Sequence, residues 1–373
     1  MKILNKQRLL ETFSDLVSIY SPSLSERLVC DYLSSKLSEL GFILHEDFVG
    51  EKIGGNSGNL YGFLPGDESL EPLLFCAHMD TVEPARGKKA IFHDDGSITS
   101  NGETILGCDA LSGVAAIIEA IKTIKEENIY HRPIEILFCV AEEIYGLGSK
   151  FFDYSIIKSK ESYTLDLSGN VGSAAYKAPS LLTFDIIVKG KSAHSNFKSS
   201  ENVNAIIVAA KALAQIKTGK IDENSTCNIG LIQGGLAPNI VPDLCTVKGE
   251  IRSYSHNEIF ILLDEVIGIF SKITEVHGAK MEVKHELRIE AYETPLNHPV
   301  VKRFQNVCEK LDIPCKLCST LGGSDNNNIV KHGITGLELA AAMNRCHSCE
   351  ECTHVSELEK ITKIVIELMK GEI

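Results

Sequence analysis

The first 175 residues contain short apolar segments that end in acidic residues or a histidine, and this pattern restricts the fold more than any other feature of the chain. Two of these segments, PLLFCAHMD (72–80) and PIEILFCVAEE (133–143), flank a stretch with helical spacing, GCDALSGVAAIIEAIKTIKEE (107–127). A third segment is SYTLDLSG (162–169). Such alternation of strand and helix predicts an α/β fold with a mostly parallel sheet covered by helices. Ligands bind such sheets at the carboxyl ends of the strands, where these polar residues fall.

The pattern changes near residue 178, where strands and helices begin to follow one another in the order βαββαβ. The predicted elements are strands within 180–194, 225–235, 245–255 and 279–287, and helices within 202–216 and 257–276. This order predicts a ferredoxin-like α+β unit. After residue 290 the helix–strand alternation of the first part resumes. We therefore predict an α/β domain formed by 1–177 and 290–373, interrupted by an inserted domain formed by 178–289.

Charge and composition exclude several classes of partner. The chain has 373 residues and a net charge of −13. A nucleic-acid-binding protein needs clustered Lys and Arg to neutralise phosphates, so this charge argues against such a partner. No basic run suggests a membrane partner, and charges interrupt the apolar face of the N-terminal segment, which therefore has the pattern of neither a signal peptide nor a spanning helix. We expect a cytoplasmic protein whose twelve cysteines are reduced thiols.

The polar residues at the predicted strand ends form a set that is typical of a metal site. They are one imidazole and several carboxylates: His78, Asp80, Asp109, Glu142, Glu143 and Asp166. Borderline-soft divalent ions bind sets of this kind. An acid two residues from a ligating histidine, as Asp80 is from His78, can orient the imidazole ring. Glu142 and Glu143 would point in opposite directions on a strand, so that one could bind metal while the other carries protons.

Each of these residues also has a simpler interpretation. Asp109, which precedes an apolar helix, has the position of an N-cap. A Glu-Glu pair after a strand is usually part of a solvated loop, and a histidine beside an acid is usually structural. The joint pattern favours the metal site, because all of these side chains fall at the same end of consecutive predicted strands.

Seven segments along the chain resemble, in order, the motifs of one enzyme family. They are FCAHMDTV, ETILGCDALSGVAAIIEAI, ILFCVAEEIYGLGSK, LDLSG, KGKSAHS, GGLAPNIVPD and GEIRS. The resemblance is to the zinc-dependent metallopeptidases that include peptidase T, aminoacylase and the carboxypeptidase G type, and it covers nearly the whole chain. The peptidase T branch is the most similar. The resemblance implies a zinc-bearing α/β domain with an inserted lid through which two chains dimerise.

The resemblance also implies a set of metal ligands. Asp109 would bridge two zinc ions, with His78 and Asp166 completing one site. Glu143 and a C-terminal histidine would complete the other. In the peptidase T branch this histidine is followed by small residues, a Glu pair and a helix, and the segment HSCEECTHVSELEKITKIVIELM has the same layout, so the role falls to His347.

Further roles concern the reaction and the substrate. Glu142 would be the general base, and Asp80 would hold His78. His194 would reach the active site of the partner subunit from the lid and help to bind the oxyanion, while Asn239 and Arg252 would contact the substrate. The residue types suit this chemistry, because two ions can lower the pKa of a shared water toward neutrality and a carboxylate can then take its proton.

The C-terminal segment MNRCHSCEECTH (343–354) allows a competing interpretation. It contains three cysteines, and Cys315 and Cys318 lie upstream, so a cysteine–zinc site or a redox centre is an alternative. The pairs of a zinc ribbon are usually separated by about 15–20 residues, whereas 27 residues separate Cys318 from Cys346. The chain also departs from the family, with Ala110 and Leu111 in place of an acid and a basic residue that usually follow the bridging aspartate.

These observations lead to a prediction of function. We expect a homodimeric aminopeptidase with two zinc ions, which hydrolyses short peptides, tripeptides above all, through a metal-bound hydroxide. Cobalt and manganese are alternatives to zinc as the native ion. A dipeptidase, a carboxypeptidase or an N-acyl amino acid hydrolase of the same family is the nearest alternative. A non-catalytic metal-binding or redox protein is the alternative from another class.

Overall fold

The computed structural model describes residues 4–194 and 202–371. The chain divides into two compact units. The larger unit consists of Met1–Lys177, Glu293–Thr320 and Ser324–Ile373, and the smaller unit consists of Ala178–Tyr292 and Leu321–Gly323. The short segment 321–323 belongs to the smaller unit although the sequence pattern placed it with the larger domain. The functional roles predicted for the two domains stay predictions.

The helices and strands follow the predicted order. The α-helices of the described residues are α1 (Lys6–Ser18), α2 (Arg27–Glu39), α3 (Val49–Ile53), α4 (Cys108–Glu126), α5 (Leu147–Phe151), α6 (Ala205–Leu213), α7 (His256–Val276), α8 (Pro299–Lys310), α9 (Asp325–Lys331) and α10 (Val355–Met369). The strands are β1 (Ile43–Glu46), β2 (Leu60–Leu64), β3 (Leu73–His78), β4 (Ile91–Phe92), β5 (Ser97–Thr99), β6 (Ile134–Cys139), β7 (Glu161–Leu167), β8 (Ser173–Ala178), β9 (Ser180–Lys189), β10 (Ala193–His194), β11 (Gly219–Lys220), β12 (Ser225–Gly234), β13 (Ile240–Val241), β14 (Leu244–Ser253), β15 (Lys280–Ile289), β16 (Tyr292–Glu293), β17 (Lys316–Ser319), β18 (Thr335–Ala340) and β19 (Cys352–His354).

The larger unit is built on a central sheet whose middle strands are parallel. Its strands include the order β1-β2-β6-β3-β7-β18-β8, with β17 paired in parallel to β8, and the neighbours from β6 to β18 run parallel. Every residue of β3 and β6 is buried, which explains their nearly continuous apolar sequences, because helices cover both faces of a parallel sheet. The prediction of a mostly parallel sheet is therefore confirmed.

Helix α4 is apolar nearly all round because it is enclosed on all sides. It packs against β3 and β7 of the sheet and against α1 and α10. A helix of this kind is stable only inside a core. Gly113 permits its closest approach to the sheet, since a Cβ atom there would lie 2.7 Å from the main-chain oxygen of Leu165 on β7. This approach brings the start of α4 to the end of the sheet where β3 and β7 terminate.

The smaller unit has the predicted βαββαβ order. Its sheet is antiparallel with the strand order β11-β12-β14-β9-β15, and α6 and α7 share one core with it. Alternate residues of β9, such as Phe184 and Ile186, are buried in that core, as expected for a sheet covered on one face. Across both units, no helix of the described residues combines the length and the apolar character needed to cross a membrane.

Candidate metal centre

The carboxyl ends of neighbouring parallel strands bring the predicted metal ligands to one edge of the central sheet. His78 is the last residue of β3, and Asp166 is the next-to-last residue of β7. Glu143 follows β6, and His347 lies in the loop between β18 and β19. Asp109 reaches the same edge from the start of α4. All five residues therefore belong to the larger unit.

Asp109 lies between two groups of candidate ligands and belongs to both. Its Oδ1 is 3.2 Å from His78 Nε2, and its Oδ2 is 3.4 Å from His347 Nε2. Asp166 Oδ1 lies 3.3 Å from the same nitrogen of His78, and Glu143 Oε2 lies 2.9 Å from that of His347. Within each group of three residues, the candidate ligand atoms lie within 4.8 Å of one another. The Asp109 carboxylate thus directs one oxygen to each group.

The simpler interpretation of Asp109 as an N-cap does not describe this geometry. Gly107 precedes the helix at the N-cap position and provides no side-chain hydrogen bond. Asp109 has φ −83° and ψ 109°, values that an N-cap residue also adopts, but its carboxylate is directed to the two histidines.

Asp80 connects His78 to the turn that carries Glu142 and Glu143. Its Oδ1 accepts a hydrogen bond from the Glu142 N–H (2.9 Å), and its Oδ2 accepts one from the Glu143 N–H (3.1 Å). Ser23 donates a further hydrogen bond to Oδ2 at 2.6 Å. The Asp80 side chain is fully buried, so these donors compensate the cost of burying its charge. A change at Asp80 would therefore displace both glutamates.

The contact of His78 with Asp80 fixes a proton on one ring nitrogen. His78 Nδ1 lies 2.8 Å from the main-chain carbonyl oxygen of Asp80, and the Asp80 carboxylate Oδ1 is more distant at 3.5 Å. A carbonyl oxygen can only accept, so Nδ1 carries a proton. Nε2 is the ring atom that faces Asp109 and Asp166. Burial acts to lower the pKa of His78, but the charge of Asp166 and the hydrogen bond with Asp109 outweigh it and raise that pKa well above its ordinary value. Without metal, Nε2 therefore carries a proton that an ion would displace.

Two loops of the centre contain strained residues. Ala141 and Tyr145, which flank the glutamate pair, have φ values of 54° and 71°, and Arg345 and His347 have values of 54° and 62°. Residues other than glycine rarely adopt this left-handed region, and such residues cluster at functional sites. The sequence pattern allowed the strand to continue through Glu142 and Glu143. In the structure β6 ends at Cys139, and a turn follows it.

The charges of the centre shift several pKa values. Hydrogen bonds with Asp109 and Glu143 raise the pKa of His347 to about 10. Burial acts to raise the pKa of Asp109, but hydrogen bonds from His347 and His78 outweigh it and hold that pKa below its ordinary value. Burial, together with the charge of Asp166, raises the pKa of Glu142 well above the ordinary value. Glu142 is thus a carboxyl group whose affinity for a proton is increased by its surroundings.

The side chains of the centre fit divalent ions. Imidazole nitrogens and carboxylate oxygens are the donors that such ions bind in hydrolytic sites. Glu143 Oε1 is buried and has no hydrogen-bond partner among the described residues, which is costly unless another group satisfies it. An ion between Glu143, Asp109 and His347 would satisfy this oxygen.

The three residues predicted to act from the lid lie in the smaller unit. His194 is in the short strand β10, and Asn239 is exposed in the turn before β13. Arg252, on β14, donates hydrogen bonds to Glu250 Oε1 (2.9 Å) and to the main-chain oxygen of Leu321 (2.8 Å). The contacts of these residues within their own unit do not test the roles implied by the resemblance.

Sequence reasoning missed Glu351, which the fold places against the start of α4. Its carboxylate accepts hydrogen bonds from the N–H groups of Gly107 and Asp109. Cys108 is buried, and its thiol donates to the same carboxylate at 3.2 Å. The only signal in the sequence was the position of Glu351, four residues after His347.

The cysteines of the C-terminal segment are neighbours of the centre. All twelve cysteines are free. In the part of the chain that the structure describes, none of the ligand groups includes Cys346, Cys349 or Cys352. A different buried group, formed by Cys76, Cys139 and Asp325, was not anticipated, and its two sulfur atoms are 3.8 Å apart.

A parallel sheet with histidines and carboxylates clustered at its carboxyl edge suits a metal-dependent hydrolase. The comparisons with known proteins identify the chain as a hydrolytic metallopeptidase. Residues 74–371 match Peptidase family M20/M25/M40, and the chain belongs to this family. The resemblance read from the motifs is thereby confirmed.

Three similar proteins support this assignment. The uncharacterized protein YqjE of Bacillus subtilis (strain 168) is 34% identical over 368 residues, which cover 99% of each chain. The crystal structure of a tripeptidase from Staphylococcus aureus is 33% identical, with a TM-score of 0.95 over 99% of this chain and 98% of that one. That of the aminopeptidase PepT from Bacillus cereus is 34% identical, with a TM-score of 0.90 over 98% of both chains.

Proposed function

We propose that the protein is a zinc-dependent aminopeptidase with two metal ions, which removes the N-terminal residue from short peptides, above all tripeptides. One observation carries the proposal: the Asp109 carboxylate is shared by two groups of ligands, His78 with Asp166 and Glu143 with His347. A carboxylate that directs one oxygen to each group can bind two ions that lie about 3.5–4 Å apart. The similar tripeptidase and the similar aminopeptidase support the choice of substrate.

Glu142 is the candidate general base of this reaction. Bound ions would polarise the peptide carbonyl and acidify the attacking water. Glu142, with its raised pKa, would take the proton of that water and deliver it to the leaving amine. Asp80 would support the reaction by holding His78 through its main-chain oxygen and the Glu142–Glu143 turn through its carboxylate.

The smaller unit is proposed to act as a lid and to form a homodimer. Among the described residues, β11 pairs with β12 only at Thr226 and Cys227, which leaves the rest of that edge without a strand neighbour. Exposed apolar side chains lie on and near this edge, namely Leu231, Ile232, Leu236, Ile240 and Leu244. Open strand edges and apolar patches favour pairing with another chain. In such a dimer His194 would contribute to the partner's active site, and Asn239 and Arg252 would contact the substrate.

A cytoplasmic location is part of the same proposal. All twelve cysteines are free, and structural disulfides are rare in reducing compartments. Short peptides produced by other peptidases would be the substrates there.

Metal analysis combined with a peptide panel tests the proposal. We expect two zinc ions per chain and release of Ala and Ala-Ala from Ala-Ala-Ala. N-acetyl-Ala-Ala-Ala should not be cleaved, because an aminopeptidase binds the free α-amino group. Cleavage of the acetylated peptide with release of its C-terminal residue would instead identify a carboxypeptidase, and release of acetate would identify an N-acyl amino acid hydrolase.

A further inference from the structure

The C-terminal loop that carries His347 also carries a buried carboxylate. Glu351 is only 1% exposed, whereas the adjacent Glu350 is exposed and forms a surface ion pair with Arg345. Burying an ionised carboxylate is costly unless hydrogen bonds compensate the lost hydration. The buried carboxylate of Glu351 therefore needs hydrogen-bond donors that a solvated loop alone would not provide.

The partners of Glu351 all belong to the segment that contains Asp109. The Gly107 N–H donates to Oε2 at 2.6 Å, and the Asp109 N–H donates to Oε1 at 3.0 Å. The Cys108 thiol donates to Oε1 at 3.2 Å. Three donors on consecutive residues fix both the position and the rotation of this segment relative to the carboxylate. Because Asp109 directs one oxygen to each ligand group, its orientation determines the geometry of both.

The loop that carries Glu351 and His347 is also fixed, by hydrogen bonds of its own main chain. The loop is closed by reciprocal main-chain hydrogen bonds between Asn344 and Cys352, both of 3.0 Å, and the Glu351 N–H donates to the carbonyl oxygen of Ser348. His347 lies within this closed loop. Glu351 is thus the side chain that joins the loop of one candidate ligand to the main chain of another.

We propose that Glu351 is a positioning residue that holds Asp109 and the His347 loop in register, so that the two groups of ligands bind metal ions as one unit. The inference rests on the proposed metal centre. Its role resembles that of groups outside the ligand set in other metal sites, whose loss lowers metal affinity by about 10–100-fold.

Zinc titration of metal-free protein tests the proposal without relying on activity. The variant is Glu351→Gln, in which the amide nitrogen cannot accept one of the two main-chain hydrogen bonds. We expect zinc affinity, measured by competition with a chelator, to fall about 10–100-fold. Glu350→Gln is the matched control and should bind zinc like the parent. If Glu351→Gln lowers the melting temperature but leaves zinc affinity unchanged, the role is only structural and the proposal is wrong.

A double-mutant cycle separates positioning from a general loss of stability. The effects of Glu351→Gln and His347→Ala on zinc affinity should be less than additive, because both act on the same ion. Strict additivity would show that Glu351 does not act through the His347 loop. Parent protein that binds two zinc ions but leaves peptides intact would overturn the proposed function alone, whereas parent protein that binds no zinc would overturn both.

Hydrogen exchange on the parent protein gives a test that needs no substitution and holds even if Glu351→Gln does not fold. Zinc should protect the amides of residues 107–109 and those of residues 344–352 at the same zinc concentration. Protection of one segment without the other would contradict the proposed coupling.

Discussion

The two halves of the metal centre are built differently. His78 and Asp166 lie on buried strands, and the His78 side chain is 1% exposed. Glu143 and His347 lie in loops with left-handed residues, and the His347 side chain is 57% exposed. The sheet therefore fixes the strand half before any ion binds, whereas the loop half depends on hydrogen bonds such as those of Asp80 and Glu351. This difference predicts unequal responses to substitution.

The largest expected effect comes from the residue that the two halves share. Asp109→Ala should remove an oxygen ligand from each group, so we expect the zinc content to fall below one ion per chain and hydrolysis of Ala-Ala-Ala to fall to background. Elemental analysis and a peptide assay check this. Asp94→Ala, a change at an exposed residue, serves as the control. Retention of two zinc ions would show that Asp109 does not bridge the halves.

Glu142 belongs to neither half and should affect catalysis without affecting metal content. We expect Glu142→Gln to lower kcat by about 10²–10⁴-fold, the usual contribution of a general base. Zinc stoichiometry should stay that of the parent, because Glu142 belongs to neither ligand group. Parent-like turnover in this variant would require another base.

Single histidine substitutions distinguish the halves directly. His78→Ala should lower the stability of the metal-free protein by about 1–3 kcal/mol, because it leaves buried carboxylates without a donor. His347→Ala should cost less than about 1 kcal/mol, since this side chain is more than half exposed. Each variant should lose at least one of the two zinc ions, because the two groups share Asp109. Chemical denaturation measures the free energy of unfolding of each variant. If both substitutions lowered it by the same amount, the strand half would not be preformed.

The smallest effect concerns pH. The pKa of His347 is raised to about 10 in the folded chain, so its interactions with Asp109 and Glu143 stabilise the metal-free protein below about pH 6.5. This contribution is lost as the pH rises toward about 10. Zinc must displace the same proton, so zinc affinity should increase with pH over this range. The increase should be smaller in His347→Ala, and an identical slope would assign the released proton to another group.

Much of the fold could be predicted from the sequence because burial acts on whole strands. The apolar runs that end at His78, Glu143 and Asp166 predicted a parallel sheet with polar residues at one edge, and the structure confirms that sheet. The order βαββαβ likewise predicted the insertion, in which β9 alternates between buried and partly exposed residues. Both patterns arise from side-chain periodicity, which is local in the sequence.

The roles of the residues in the loops could not be predicted from local sequence patterns alone. Asp109 had the local pattern of an N-cap, and its bridging role came only from the resemblance to a family. The structure brings its carboxylate close to two histidines from distant segments. The assignment of His347 came from resemblance to a family, not from spacing. Glu351 carried no local signal, because its partners lie more than 240 positions earlier in the chain.

The sequence by itself determined the order of the elements, the βαββαβ insertion and the residue types gathered at the edge of the sheet. These follow from hydrophobic periodicity and from the meeting of parallel strand ends. Only the tertiary structure showed how Asp109 faces both groups of ligands, that the Asp80 carboxylate accepts hydrogen bonds from the Glu142–Glu143 turn, and that Glu351 is buried against residues 107–109. The reason is physical: hydrogen bonds between distant segments depend on how the packed core orients them, and local sequence does not encode that orientation.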